Sequence, residues 1–256
     1  YPTAFALWIA PHKNLRLLPW FFLGTILMRA AGCIINDIAD RRWDAHVART
    51  QQRPLVTGAL SLIEAWVCLL LLLFLSFLVL LQLSPACFYW ALAALGVVGL
   101  YPFTKRFLPA PQVILGIAFS MSIPMVYTAY AASMDGVTLL LWANTVLWVL
   151  SYDTMYAMVD KSDDQVLGLY STAILAGEYD SIWVSIFGVL SYLSWLFIAK
   201  LLFLNIYFYA AWAGAGLLLG YQLYLTSTQQ AQACFRAFSL SVWYGLLLWI
   251  GLCFNF

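Results

Sequence analysis

Charge is scarce in this chain. Asp, Glu, Lys and Arg make up 9% of its 256 residues, against 64% hydrophobic residues and a mean hydropathy of +0.89. A soluble domain of this length could not cover its core with so little polar surface, so that class is excluded. The net charge of +1 gives no electrostatic footprint for a nucleic acid. The two histidines, His12 and His46, stand alone and are not expected to be metal ligands. Five cysteines (Cys33, Cys68, Cys87, Cys234, Cys253) form no CxxC pair and have no nearby His, which leaves them as ordinary apolar packing residues. Strand-period segments of barrel type are missing too, and a helical bundle is the remaining way to satisfy backbone polar groups in lipid. No cleavable signal peptide is visible. The first residue is Tyr1 rather than Met, and YPTAFALWIA is half a span. The chain is therefore expected to begin part-way through a transmembrane helix, with N-terminal residues absent.

Long apolar runs are what the chain has in place of charge. Roughly 20 apolar residues cross a bilayer. On that rule helices are expected near 1–10, 18–38, 61–82, 86–102, 110–131, 137–158, 181–199, 203–224 and 236–254, nine in all with the first truncated. The expected fold is an all-α polytopic membrane bundle forming a single domain over 1–256. Connections after the even-numbered helices carry Arg41, Arg42, Arg49, Arg53, Lys105, Arg106, Lys161 and Arg236, while the opposite side has Lys13, Arg16 and Lys200. Eight bases against three place the first side in the cytoplasm.

The acids are unevenly distributed. Of 11 Asp and Glu, only Asp135 lies outside residues 36–64 and 153–180. Asn36, Asp40 and Asp44 step by four, and Asp153, Asp160 and Asp164 by seven and then four, so each set shares one face of a helix. Each set ends an even-numbered helix on the cytoplasmic side. Such a repeat often places a site where two halves of a membrane bundle meet. A single Asp among Asp37, Asp40 and Asp44 could equally belong to a solvated loop paired with Arg41 and Arg42. Two windows repeating one spacing at one membrane face are poorly explained that way. Two facing stripes of oxygen ligands suit Mg2+ against a diphosphate, because Mg2+ takes a few carboxylates and completes its shell with water and phosphate oxygen. Asp153 has apolar neighbours on both sides, and an unpaired charge there is costly unless a metal, a cation or a proton offsets it.

Four further groups have two readings each. Arg29, seven residues before Asn36 on the same helix face, is either an ion-pair partner within the bundle or an anion clamp. Lys105 and Arg106, at the end of YPFTKR, are either topology determinants or anion ligands. Tyr156, one turn from both Asp153 and Asp160, and Tyr101 are the aromatic rings best placed to face a carbocation, although most Trp, Tyr and Phe are expected at lipid.

The runs MRAAGCIINDIADRRWDAHVARTQQRPLVTG (28–58), YPFTKR (101–106) and YDTMYAMVDKSDDQVLGLYSTAILAG (152–177) resemble the signatures of the UbiA-type intramembrane prenyltransferases. The resemblance extends over essentially the whole chain. RAAGC, RPL and DTMYAMVD are most similar to the branch that prenylates 4-hydroxybenzoate in ubiquinone biosynthesis, although members acting on 1,4-dihydroxy-2-naphthoate and other acceptors share the pattern. The resemblance implies a nine-helix bundle around a central cavity open to lipid and capped by cytoplasmic loops. It implies Mg2+ at Asn36, Asp40, Asp44, Asp160 and Asp164, with Asp153 and Tyr156 alongside in catalysis. It implies substrate contacts from Lys105 and Arg106, to which Arg29, Arg53, Tyr101 and Lys161 are added as candidates. Arg106, or else Arg29, is expected to hold the hydroxybenzoate carboxylate. QVLG (165–168) departs from relatives that carry a lysine and an isoleucine before the glycine, so Lys161 is the only base in this loop. The implied partners are a polyprenyl diphosphate, 4-hydroxybenzoate and membrane lipid, with no obligate protein partner. The implied location is a bacterial, or in a eukaryote mitochondrial, inner membrane. The rival reading, a cation-coupled transporter, would place its acids at the bilayer midplane with paired helix breaks.

Overall fold

The computed structural model describes residues 1–11 and 14–255, so His12 and Lys13 lie outside the described residues. Among the described residues the chain is helical throughout, with no strand. The helices are α1 (Pro2–Ile9), α2 (Leu18–Asp44), α3 (Pro54–Thr57), α4 (Leu62–Leu80), α5 (Cys87–Thr104), α6 (Pro111–Ser120), α7 (Ser122–Ala129), α8 (Gly136–Val166), α9 (Thr172–Ala176), α10 (Asp180–Leu201), α11 (Ile206–Ser227) and α12 (Ala231–Cys253).

Every segment expected to be helical is helical, and among the described residues six stretches are long and apolar enough to cross a membrane, so the count of nine spans is not confirmed. Helix α1 has only 8 residues, while α8 and α11 reach 31 and 22 but are diluted by Asn, Thr, Tyr, Gly and Gln. The expected helix at 110–131 is broken into α6 and α7 at Met121. Pro124 has no N–H to give the carbonyl of Ser120, and its ring crowds that carbonyl.

Two helices run past their expected ends, and those extensions build the site. Helix α2 starts with Pro19 in its first turn and continues through NDIADRRWD to Asp44, where Arg41 and Arg42 suit the negative end of the helix dipole. Helix α8 starts at a capping box in which Asp135 and Thr138 satisfy each other's backbone N–H, and it continues to Val166. Both acidic stripes are thus held on regular helix.

The core lies toward the other end of the bundle, where Phe5, Tyr127, Trp195, Phe208 and Leu248 are fully buried and join α1, α7, α10, α11 and α12. A second cluster beneath the acids joins α8 to its neighbours through Met155, Ala173, Val184, Leu225 and Cys234. Helices α6 and α8 approach closely at Gly116, where an added methyl group would lie 3.1 Å from Val146 Cγ1. Large apolar side chains such as Ile63, Leu70 and Leu217 point outward, 77%, 62% and 81% exposed, as expected of a surface solvated by lipid.

Candidate active site

A cavity of about 130 Å3 separates the two acidic stripes. Helix α2 contributes Asn36, Asp40 and Asp44 to its wall, and α8 contributes Asp153, Tyr156, Asp160 and Asp164. Tyr101 and Lys105, at the end of α5, close a third side, and Arg53 reaches in from the connection after α2. Ten of the thirteen residues singled out in the sequence therefore converge on one space.

Bases occupy the acids in a definite pattern. Lys105 Nζ lies 2.7 Å from Asp40 Oδ2. Arg53 Nη1 bridges Asp37 Oδ1 and Asp44 Oδ2, both at 2.7 Å. Arg49 makes a two-pronged contact with Asp160, Nε to Oδ1 at 3.0 Å and Nη2 to Oδ2 at 2.5 Å, with its guanidinium 4.5 Å from the centre of the Tyr156 ring. The backbone N–H of Ala48 donates to Asp163 Oδ2 at 3.1 Å, so the connection after α2 is tied down across the mouth of the site.

The acids still outnumber the bases. Five carboxylates (Asp40, Asp44, Asp153, Asp160, Asp164) line the cavity with three cations (Arg49, Arg53, Lys105), a formal excess of two negative charges. Asp40 Oδ1 is buried with no hydrogen-bond partner among the described residues. In the polar extension of α8, burial pushes the Asp164 carboxyl up to about 6, with Lys105 opposing the shift and Asp160, Asp163 and Asp40 adding to it. A buried, under-neutralised set of carboxylate and amide oxygens fits a hard divalent cation. Among the described residues no three acids converge as a finished cage. Mg2+ does not need one, because it is held by one or two carboxylates together with phosphate oxygen and water.

Three expected ligands, Lys161, Arg106 and Arg29, are not on the cavity wall. Lys161 Nζ donates to Asp180 Oδ2 at 2.5 Å and to the Gly177 carbonyl at 2.6 Å, which ties α8 to the start of α10. Arg106 Nη2 donates to the Ala39 carbonyl at 2.8 Å, and its guanidinium is 4.1 Å from the Trp43 ring centre and 4.8 Å from that of Phe103. It braces α2 against α5 from behind. Arg29 lies 5.3 Å from the Phe119 ring centre and makes no ion-pair contact among the described residues.

Sequence reading missed Arg49, Gln112 and Ser171, all on the wall. Arg49 counted only toward topology, although its place between Asp44 and RPL was a usable signal. Gln112 and Ser171 are single polar residues in unremarkable contexts, and only the fold brings them together.

Residues 1–250 match the UbiA prenyltransferase family. The chain belongs to that family. The 4-hydroxybenzoate octaprenyltransferase of Legionella pneumophila (strain Philadelphia 1) is 46% identical over 251 residues, covering 97% of this chain and 89% of that protein. The enzyme of the same name from Pseudomonas aeruginosa (strain UCBPP-PA14) is 43% identical over 256 residues, covering 98% and 86%. Among solved structures, the apo form of a UbiA homolog from Aeropyrum pernix K1 superposes with a TM-score of 0.87 at 24% identity, covering 99% of this chain and 95% of that one. A UbiA homolog from Archaeoglobus fulgidus bound to GPP and Mg2+ gives 0.66 at 17% identity, covering 96% and 93%. These two show that the fold is that of the UbiA family. Membership also removes the transporter reading.

Proposed function

We infer that this UbiA-family chain transfers the prenyl group of a polyprenyl diphosphate to the ring carbon ortho to the hydroxyl of 4-hydroxybenzoate, releasing diphosphate. The observation that carries the reading is the pair of acidic stripes facing each other across one buried cavity, in a chain so similar to proteins named for that reaction.

Asn36, Asp40 and Asp44 on α2, and Asp160 and Asp164 on α8, would hold Mg2+. When bound, the metal would supply positive charge to offset that on the diphosphate leaving group. Arg49, Arg53 and Lys105 stand beside those acids and pair with diphosphate oxygens, as guanidinium and ammonium groups do. Tyr156 and Tyr101, both on the cavity wall, would supply aromatic rings to the electron-poor allylic carbon, and the apolar bundle would exclude water that could otherwise capture it. The ring carbon next to the hydroxyl forms its new bond to the allylic carbon as diphosphate departs, and a base takes up the ring proton to restore aromaticity. Asp153, on the cavity wall, would polarise the phenol. The prenyl tail leaves toward lipid, where each buried methylene contributes about 0.8 kcal/mol to retention. The bias of bases toward the connections near the acids supports an inner-membrane enzyme with its site at the cytoplasmic face.

Membranes containing the chain, supplied with a polyprenyl diphosphate, Mg2+ and an equimolar mixture of 4-hydroxybenzoate and 1,4-dihydroxy-2-naphthoate, test the acceptor. Prenylated 4-hydroxybenzoate should dominate by mass spectrometry. A predominance of prenylated naphthoate would reassign the substrate.

A further inference from the structure

The side-chain amide of Gln112 is oriented by a partner that has no choice. The backbone N–H of Thr172 can only donate, and it meets Gln112 Oε1 at 3.0 Å. The Nε2 group therefore points the other way. Gln112 is 6% exposed and lines the cavity, and among the described residues nothing accepts a hydrogen bond from its Nε2. Ser171, next to Thr172, is 3% exposed on the same wall. Its Oγ accepts from the Ile174 N–H at 3.2 Å as the N-cap of α9, which uses a lone pair and leaves the hydroxyl proton without an acceptor. Gln112 also stands in the first turn of α6, a ten-residue helix whose N-terminus has no side-chain cap.

Donors without acceptors on a cavity wall suit a ligand that brings the acceptor oxygens. The three cations of the cavity are already gathered among the acids. This wall is different in kind, because its donors are neutral and the positive end of a helix dipole reinforces them. Such a surface takes a single small anion, not a diphosphate with its metal. The carboxylate of a benzoic acid presents two oxygens to two donors.

We propose that Gln112, assisted by Ser171, binds the carboxylate of the aromatic acceptor and selects acids over uncharged phenols. The proposal rests on the prenyl-transfer reading of the cavity. It also supplies the carboxylate partner that Arg106, turned away behind α2, does not.

Gln112→Glu tests it. One oxygen of the new side chain can still accept from the Thr172 N–H, while the other replaces a donor with a negative charge facing the ligand. The KM for 4-hydroxybenzoate should rise at least about tenfold, with the KM for the polyprenyl diphosphate within roughly twofold of wild type. The thermal stabilisation of the protein by 4-hydroxybenzoate, measured without donor or metal, should be lost. Gln112→Asn, which keeps the amide but withdraws it by one methylene, should shift both readouts the same way by less, and it decides the matter if the Glu variant does not fold. Unchanged acceptor KM and stabilisation in a folded variant, or a rise confined to the prenyl donor, would overturn the assignment. Wild-type product formation in the same assay separates the two levels. Product with indifferent variants rejects the Gln112 subsite alone, whereas no wild-type product rejects the prenyl-transfer reading and this proposal with it.

Discussion

Lys105 Nζ lies 2.7 Å from one oxygen of Asp40, a residue only 2% exposed, while the other oxygen of the same carboxylate is buried with no partner among the described residues. Half of Asp40 is thus neutralised by the protein and half is left for a ligand. The contact also joins the first acidic stripe on α2 to the end of α5, so the base and the acid that would share one diphosphate are held side by side before it arrives.

Asp40→Ala and Asp160→Ala should each lower turnover by at least about a hundredfold, the scale of losing one transition-state electrostatic contact. The variants should still insert and fold, because the buried core lies elsewhere, around Phe5 and Trp195. Steady-state rates on purified protein of matched thermal midpoint check this, and near-wild-type activity would remove that residue from the metal set.

Lys161→Ala should affect stability and leave substrate affinity alone. It removes the cation from Asp180, which is 2% exposed and, among the described residues, keeps Gln229 and the Ser181 N–H as partners. Leaving a buried carboxylate without its cation costs on the order of 3 kcal/mol. The expected outcome is a lower thermal midpoint in detergent, with KM values for both substrates within roughly twofold of wild type; a large selective rise in the donor KM would return Lys161 to the substrate.

Asp164 gives a pH signature. Burial raises its folded-state pKa to about 6 from an ordinary 3.8, so the folded chain binds this proton more tightly than the unfolded chain does. The ionised group therefore costs stability above about pH 6, and the cost fades as the pH falls toward 3.8. In EDTA, Asp164→Asn should be more stable than wild type at pH 7.5, with the gap narrowing by roughly half at about pH 5 and closing only near about pH 4. Mg2+ plus diphosphate should reverse the ranking at pH 7.5. Parallel melting curves across that range would show Asp164 to be uninvolved.

Tail length should matter less than the acceptor. An isoprenoid longer than the bundle radius must pass between helices into lipid, so recognition concentrates on the diphosphate and the first few units. Donors of about three to ten units should differ by less than roughly tenfold in rate, or about 1.4 kcal/mol. Loss of the carboxylate or the 4-hydroxyl from the acceptor should cost more, because it leaves buried polar groups unpaired. A matrix of donors and acceptors in one membrane preparation checks both statements; strict selection of one tail length with loose choice of acceptor would contradict the open passage.

The acidic stripes were legible in the sequence because helical spacing alone puts Asn36, Asp40 and Asp44 on one face, and Asp153, Asp160 and Asp164 on another. Their helices were read as ending too early, since hydropathy marks where lipid stops and not where backbone hydrogen bonding stops. For that reason α2 runs to Asp44 and α8 to Val166. The partners of the bases were not legible. Nothing in the spacing of Lys161 and Arg106 distinguishes a residue facing the cavity from one bound to Asp180 or to the Ala39 carbonyl, because those partners come from other elements. Gln112 was hidden for the same reason, as its orientation is set by Thr172, sixty residues away along the chain.

The central claim is that the two acidic stripes act together, through a divalent cation, on a prenyl diphosphate. Diphosphate release measures it most directly, in membranes given a polyprenyl diphosphate and 4-hydroxybenzoate, with and without EDTA, for wild type, Asp40→Ala and Asp160→Ala. Release should require the acceptor and the metal, cease in EDTA, return with Mg2+ and be nearly absent in both variants. Full release in metal-free buffer, or from a variant lacking either stripe, would contradict the account.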